Sequence, residues 1–131
     1  MASEIVFRNV TWSPRLAAKI KNACGWGWTF INAELVNGIS QAWDIDGIGV
    51  MITRLENHES GPVLVVVAAQ GKNALPVLKK LPDIAKANGA LPGSEGIRIH
   101  SQRPGMWKYL KRLGNYRREL SLGETVFYGR V

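Results

Sequence analysis

The apolar residues of this chain fall into short runs, most of which end at a glycine, a proline or a polar turn. The longest run, residues 63–69, is rich in β-branched side chains and does not alternate with polar residues, which is typical of a strand buried on both faces. We therefore predict a central strand over 62–69. Shorter runs predict the remaining strands, at 4–10, 41–44, 48–56, 97–100, 116–120 and 125–128.

Apolar residues at helical spacing predict four helices. The first begins at Ser13-Pro14, because serine caps free N–H groups and proline is tolerated at the first helical position, and it ends before Gly25. Pro82 lies inside the third helix and is expected to kink it or divide it in two. The second, third and fourth helices are predicted at 30–36, 74–88 and 104–113.

These elements follow in the order β-α-(α)-β-β-β-α-β-α-β-β. The order predicts an α/β (α+β) fold, in which a mixed central sheet is covered by helices on both faces. No internal repeat or long linker interrupts the 131 residues, a length that is usual for one domain. We therefore predict a single domain over residues 1–131.

Composition narrows the class of protein. The hydrophobic content of 46% supports a real core, and no run approaches the roughly 18 apolar residues that a membrane-spanning helix needs. The first residues lack the basic and apolar regions of a secretory signal. Cys24 is the single cysteine, which excludes an internal disulfide and a cysteine-based zinc site. We therefore expect a cytoplasmic domain with no membrane span and no metal.

The positive charge of the chain is concentrated in one segment. Seventeen lysines and arginines oppose ten acidic residues, a net charge of +7. Such a local field attracts phosphate, whether in nucleic acid, an anionic lipid surface or a phosphorylated cofactor. A solvated basic face that aids solubility is the alternative, and composition does not choose among them. No acidic residue occurs in the segment 96–118, whose basic residues are Arg98, Arg103, Lys108, Lys111, Arg112, Arg117 and Arg118.

The closing part of the chain resembles a known family. Residues 107–116, Trp-Lys-Tyr-Leu-Lys-Arg-Leu-Gly-Asn-Tyr, look like the last helix and the Y-x-K-L-G-F ending of the GCN5-related N-acetyltransferase (GNAT) family. The predicted order of elements is also similar to that of the GNAT fold. The resemblance implies a mostly antiparallel GNAT-like sheet and the transfer of an acetyl group from acetyl-CoA to an amine.

In that family a strand-to-helix turn with the pattern Q/R-x-x-G-x-G/A holds the cofactor pyrophosphate, because free backbone N–H groups and the helix dipole favour an anion. Here Asn73 and Leu75 replace the small residues of the motif, so an ordinary polar turn is the alternative. A backbone N–H of the preceding strand is expected to polarise the thioester carbonyl. The cofactor-binding residues implied by the resemblance are Val67, Ala69, Gln70, Gly71, Lys72, Asn73 and Ala74.

Three residues are candidates for the proton transfers of this reaction. The acid of the family is often a tyrosine four residues before the motif glycine, a position that is Leu110 here, and Tyr109 lies one residue earlier. Neighbouring helix positions differ by about 100°, so Tyr109 and Leu110 cannot both face one cleft. His100 can take a proton near neutral pH, and Glu56 is a candidate base. The alternatives are a His100 that is hydrogen-bonded at a strand end and a solvated Glu56.

Trp26 and Trp28 lie in the loop where the family commonly builds its acceptor pocket, and they are candidates to bind substrate or a protein partner. They alternatively close the core beneath that loop. Two other functions stay open. The first is a catalytically inactive GNAT-like binding or virion-associated protein, since the closing helix and hairpin look similar to small phage-encoded proteins, including internal virion proteins. The second is a small nucleic-acid-binding domain that places Arg103 and residues 108, 111 and 112, which share a helix face, on phosphates.

Overall fold

The computed structural model describes residues 7–10, 13–16, 18, 28–45, 49–71, 74–101, 106–121 and 124–131. Residues 14–16 and 18 are helical. The longer helices within this part of the chain are α1 (Trp28–Val36), α2 (Ala74–Ala87) and α3 (Met106–Leu113). Its strands are β1 (Phe7–Val10), β2 (Ser40–Ile45), β3 (Gly49–His58), β4 (Gly61–Gly71), β5 (Ile97–Ser101), β6 (Tyr116–Ser121) and β7 (Glu124–Gly129).

The strands form a mixed, mostly antiparallel sheet in the order β1-β2-β3-β4-β5-β7-β6. β1 with β2, β2 with β3, β5 with β7, and β6 with β7 pair antiparallel, whereas β4 and β5 are parallel. The predicted class, an α/β fold with a mixed sheet, is therefore confirmed.

The central strand was predicted from its apolar run, and β4 confirms it. The side chains of Val63, Leu64, Val65 and Val66 are all buried, although they point alternately to the two faces of the sheet. The strands predicted at 41–44 and 48–56 form a hairpin, in which Ile45 pairs with Gly49. Residues 46–48, which connect them, lie outside the described residues.

Hydrogen bonds cap two helix termini in the structure. The hydroxyl oxygen of Ser13 accepts a hydrogen bond of 3.3 Å from the N–H of Leu16, which is the predicted cap. α1 is followed by Gly38 at φ +75°, and the N–H of Ile39 returns to the carbonyl of Glu34 at 2.8 Å. This left-handed glycine ends the helix in a Schellman motif.

Pro82 is expected to kink the third helix or divide it in two, and the division is excluded, because α2 is one helix over Ala74–Ala87. Proline has no N–H to donate to the carbonyl four residues earlier, which is that of Leu78. The hydroxyl of Tyr116, on β6, donates a hydrogen bond of 3.2 Å to this oxygen instead. A side chain from a distant strand therefore satisfies the acceptor that proline leaves open.

The chain divides into two compact units, the first made of Met1–Arg54 and Val67–Asn73 and the second of Leu55–Val66 and Ala74–Val131. The core of the first unit consists of side chains from α1, β2 and β3. Partly buried residues pack against it, among them Val67 of β4. The buried members of this core are Ile31, Leu35, Ala42, Val50 and Ile52.

Polar bonds join α1, β2 and β3 within the first unit. Arg54 Nη1 donates to both carboxylate oxygens of Glu34, at 2.9 and 3.0 Å, and the Ser40 hydroxyl donates to Glu34 Oε2 at 2.6 Å. The indole N–H of Trp43 donates to the hydroxyl of the fully buried Thr53 at 2.8 Å. Trp43 is half-buried.

The core of the second unit lies between its strands and the helices α2 and α3. The rings of Trp107 and Phe127 stack with centroids 6.1 Å apart, and Leu110 is fully buried. Phe127 pairs with Ile99, so these two residues share the helix-covered face of the unit. Arg98 precedes Ile99 on β5 and Tyr128 follows Phe127 on β7, so the side chains of Arg98 and Tyr128 point to the opposite face of the sheet.

Candidate functional site

The predicted cofactor turn follows β4 directly. β4 ends at Gly71 and α2 begins at Ala74. Val67 is half-buried against the core of the first unit, whereas Ala69 is exposed. Lys72 and Asn73 lie outside the described residues. Gln70, Gly71 and Ala74 are described in their backbone alone, so the structure places the strand and the helix on either side of the turn.

The two predicted substrate-binding tryptophans fall at the edge of the described residues. Trp26 lies outside them, and Trp28 is the first residue of α1. The predicted second helix therefore starts two residues earlier than its apolar pattern indicated.

The structure separates Tyr109 from Leu110, as their adjacent positions on a helix require. Leu110 is fully buried, and 36% of Tyr109 is exposed. By the resemblance to the GNAT family, Leu110 stands at the position that is often the acid. Here its side chain is part of the core of the second unit. Tyr109 is the residue of the pair that solvent can reach.

His100 and Tyr109 lie on opposite sides of the second unit's sheet. His100 lies two residues from Arg98 on β5, so both point to the face opposite Phe127, whereas Tyr109 belongs to the helix that covers Phe127. His100 is half-buried and pairs with Val126 across the strands. The two candidates therefore do not form one acid–base pair on one face of the sheet.

Glu56 is paired rather than solvated. Its Oε1 lies 3.0 Å from His58 Nε2 and 3.8 Å from Arg98 Nη1, and 28% of its side chain is exposed. The buried Nε of Arg98 has no hydrogen-bond partner among the described residues. A carboxylate with these neighbours already has donors in place, so a substrate amine would have to share or displace them.

A row of three side chains that the sequence did not reveal extends from Arg98. Arg98, Tyr128 and Arg117 stand in register on β5, β7 and β6. The guanidinium carbon of Arg98 lies 5.5 Å from the centre of the Tyr128 ring, and that of Arg117 lies 4.2 Å from it. Both distances suit cation–π attraction. The sequence predicted the strands that carry these residues, but the pairing that builds the row was not visible in it.

Arg117 is fixed by two carboxylates. Its Nε and Nη2 donate to Glu95 at 2.5 and 2.8 Å, and its Nη1 donates to Glu119 at 3.0 Å. The hydrogen bond from Arg117 lowers the pKa of Glu95, against the opposing effect of burial. Glu56, Glu95 and Glu119 thus offset Arg98 and Arg117 on this charged face.

The predicted positive segment 96–118 is therefore divided by the fold. Arg98 and Arg117 have acidic partners, and Arg118 lies over the Trp107 ring, with 4.9 Å from its guanidinium carbon to the ring centre. Arg103 lies outside the described residues. The basic residues that stay exposed on α3 are Lys108, Lys111 and Arg112.

Comparison with protein-family models and with curated proteins finds no match for the chain. Among the helices described above, none combines the length and the apolar character that a membrane crossing requires.

Proposed function

We propose that this chain is a GNAT-like N-acetyltransferase that transfers an acetyl group from acetyl-CoA to an amine. The observation that carries the proposal is the path from β4 through α2 into β5, two parallel strands joined by a helix. Ligands of such units bind at the carboxyl ends of the strands, and phosphates bind at the N-terminus of the helix that follows. α2 has no acidic residue in its first turn, so no carboxylate of that turn opposes an anion.

The reaction requires the protein to position the amine and the thioester and to stabilise the charge that develops between them. The amine nitrogen attacks the thioester carbonyl carbon, an N–C bond forms, and the C–S bond breaks as the CoA thiolate leaves. One proton leaves the nitrogen and one reaches the sulfur. The N–H groups of Val67 and Ala69 are the candidates to stabilise the carbonyl oxygen as charge develops on it. Of the three candidates for the proton transfers, Glu56 contacts Arg98, which shares a face of the sheet with His100, whereas Tyr109 belongs to the helix on the other face.

A second candidate function is a GNAT-like protein that binds its ligand without turnover. The burial of Leu110 at the usual acid position favours it, because that position offers no proton to the leaving thiolate. The pairing of Glu56 with His58 and Arg98 favours it as well, because the candidate base is already engaged. This protein would retain the cofactor turn and release no free CoA.

Calorimetric titration of acetyl-CoA into the full chain tests the proposal, with CoA and ATP as comparison ligands. Micromolar affinity for acetyl-CoA and CoA, but not for ATP, supports a CoA site, and absence of binding at millimolar ligand overturns it. Lys72→Gln is expected to weaken binding, whereas Lys79→Gln, the same charge change on the exposed side of α2, is not. Release of free CoA thiol in the presence of amines then separates the enzyme from the silent binder.

A further inference from the structure

The exposed side of α3 is basic. Lys108, Lys111 and Arg112 are exposed, whereas Leu110 on the other side of the helix is fully buried. Within the part of the chain that the structure describes, none of these three cations has an acidic partner. Their charge is therefore available to a ligand.

Arg118 extends this charge from the helix onto β6. Its guanidinium lies over the ring of Trp107, and Trp107 is one helical turn from Lys111. Lys108 in turn neighbours both Lys111 and Arg112 at the i, i+3 and i, i+4 spacings. Lys108, Lys111, Arg112 and Arg118 thus form one continuous basic surface.

Other cations of the second unit are arranged differently. Arg98 and Arg117 are paired with glutamates, and Lys80 and Lys86 flank Asp83 at 3.7 and 4.0 Å. Lys79 of α2 is also exposed and has no acidic partner among the described residues, but the basic surface brings four such cations together.

Tyr109 lies beside the basic surface, three residues from Arg112 and therefore next to it on the helix. Its ring is partly exposed, so a planar group can stack on it. The outer side of α3 otherwise carries only charged side chains. Near Arg118, Leu120 of β6 is 84% exposed, but one apolar side chain is not the broad apolar face by which a helix inserts into a lipid surface. Phosphates with a stackable base therefore suit it better than lipid headgroups do.

We propose that the basic surface binds single-stranded nucleic acid, with phosphates on Lys108, Lys111, Arg112 and Arg118 and a base stacked on Tyr109. Basic side chains bind the backbone by releasing its counterions, and aromatic rings bind unpaired bases of any sequence. A duplex offers the same phosphates but keeps its base faces stacked inside. The inference does not rest on the cofactor turn or on an amine, although it gives Tyr109, a candidate for proton transfer above, a second role.

Fluorescence anisotropy with a labelled single-stranded oligonucleotide of about 20 nucleotides, titrated with the full chain, tests the charges. With four phosphate contacts, the logarithm of the association constant is expected to fall with the logarithm of the salt concentration at a slope of about −3. Lys108→Gln/Arg112→Gln leaves two contacts and should reduce the slope to about −1.4. Lys79→Gln/Lys86→Gln removes the same net charge from α2 and is expected to leave the affinity within about twofold. An equal loss in both double variants overturns the assignment to α3.

The stacked base is tested separately. Tyr109→Ala is expected to weaken single-strand binding about tenfold without changing the salt slope, whereas Tyr109→Phe keeps the ring and the affinity. Thermal unfolding of each variant controls for the fold. Equal affinity for duplex and single strand, tighter binding to vesicles that contain anionic lipid, or no binding at about 50 mM salt overturns the proposal.

Discussion

The hydroxyl of Tyr116 donates to the carbonyl oxygen of Leu78 at 3.2 Å, the acceptor that Pro82, four residues further along α2, leaves without its helical N–H. Tyr116 is only 7% exposed, so water does not readily replace this bond. A side chain of β6 thereby supplies a donor to a carbonyl of α2 for which the helix itself has none. Removing either partner should show how far the two elements depend on each other.

Tyr116→Phe is expected to lower the free energy of unfolding by about 1–2 kcal/mol, because it leaves the buried Leu78 carbonyl without a donor. Urea unfolding measures the change. In the background of Pro82→Ala the penalty should be smaller, because the new N–H at position 82 can bond to Leu78. Simple addition of the two single effects would show that Tyr116 and Pro82 do not share this acceptor.

Tyr116 also predicts a loss of stability in alkali. Burial raises the pKa of its phenol above the ordinary value of about 10. The unfolded chain therefore releases this proton first, and the contribution present below about pH 10 is lost as pH rises, at about 1.4 kcal/mol per pH unit. Unfolding of the wild type and of Tyr116→Phe, measured between neutral and strongly alkaline pH, should diverge above about pH 10. Parallel curves would contradict the assignment.

Gly129→Ala is expected to destabilise the second unit by about 1–3 kcal/mol through overpacking. A Cβ at position 129 would lie 2.5 Å from Cε1 of Tyr116 and 3.1 Å from Cβ of Ile97. The glycine therefore makes room for the ring of its cross-strand partner. The double variant Gly129→Ala/Tyr116→Leu should lose less than the sum of the single losses, as measured by urea unfolding. A full sum would show that the ring moves aside without cost.

Thr53→Val should destabilise the first unit by about 1–3 kcal/mol, although it preserves the shape of the side chain. The hydroxyl of Thr53 accepts the indole N–H of Trp43, and valine offers no acceptor. Thr53→Ser keeps the acceptor and loses a methyl group, so it separates the hydrogen bond from packing. Retained stability in Thr53→Val, measured by chemical unfolding, would mean that Trp43 finds another acceptor.

Glu95 predicts a loss of stability in acid. Because Arg117 lowers the pKa of Glu95, the folded chain holds its carboxylate more firmly than the unfolded chain does. This contribution is present above the unfolded pKa, about 4.3, and is lost as pH falls through the folded pKa. Glu95→Gln should therefore flatten the acid limb of a stability–pH profile. Glu59→Gln, at an exposed turn, is the matched control and should leave the limb unchanged.

The elements that the sequence predicted well are those whose signal is local. The β-branched run of β4 and the cap at Ser13 need no information from elsewhere in the chain, and both are present. The continuity of α2 through Pro82 could not be predicted in this way, because its compensation comes from Tyr116, a residue far along the chain that no local pattern connects to Leu78.

The candidate site was harder to predict, because its chemistry depends on pairing between distant strands. The sequence located the positive charge but not the partners, since Glu56 meets Arg98 and Glu95 meets Arg117 only in the folded second unit. The helix offered a firmer rule. Side chains at adjacent helix positions point in different directions, so Tyr109 and Leu110 could not both face one side of the helix. In the structure Leu110 is buried and Tyr109 is partly exposed.

The last of the seven strands along the described chain, β7, lies between β5 and β6 and pairs with both. During synthesis β5 and β6 therefore leave the ribosome before the strand that joins them. The residues of the first unit have all emerged by Asn73, whereas the second unit cannot close its sheet until Glu124–Gly129 is free. A nascent chain stalled before that strand would expose the edges of β5 and β6 that β7 otherwise covers, and another chain could pair with them.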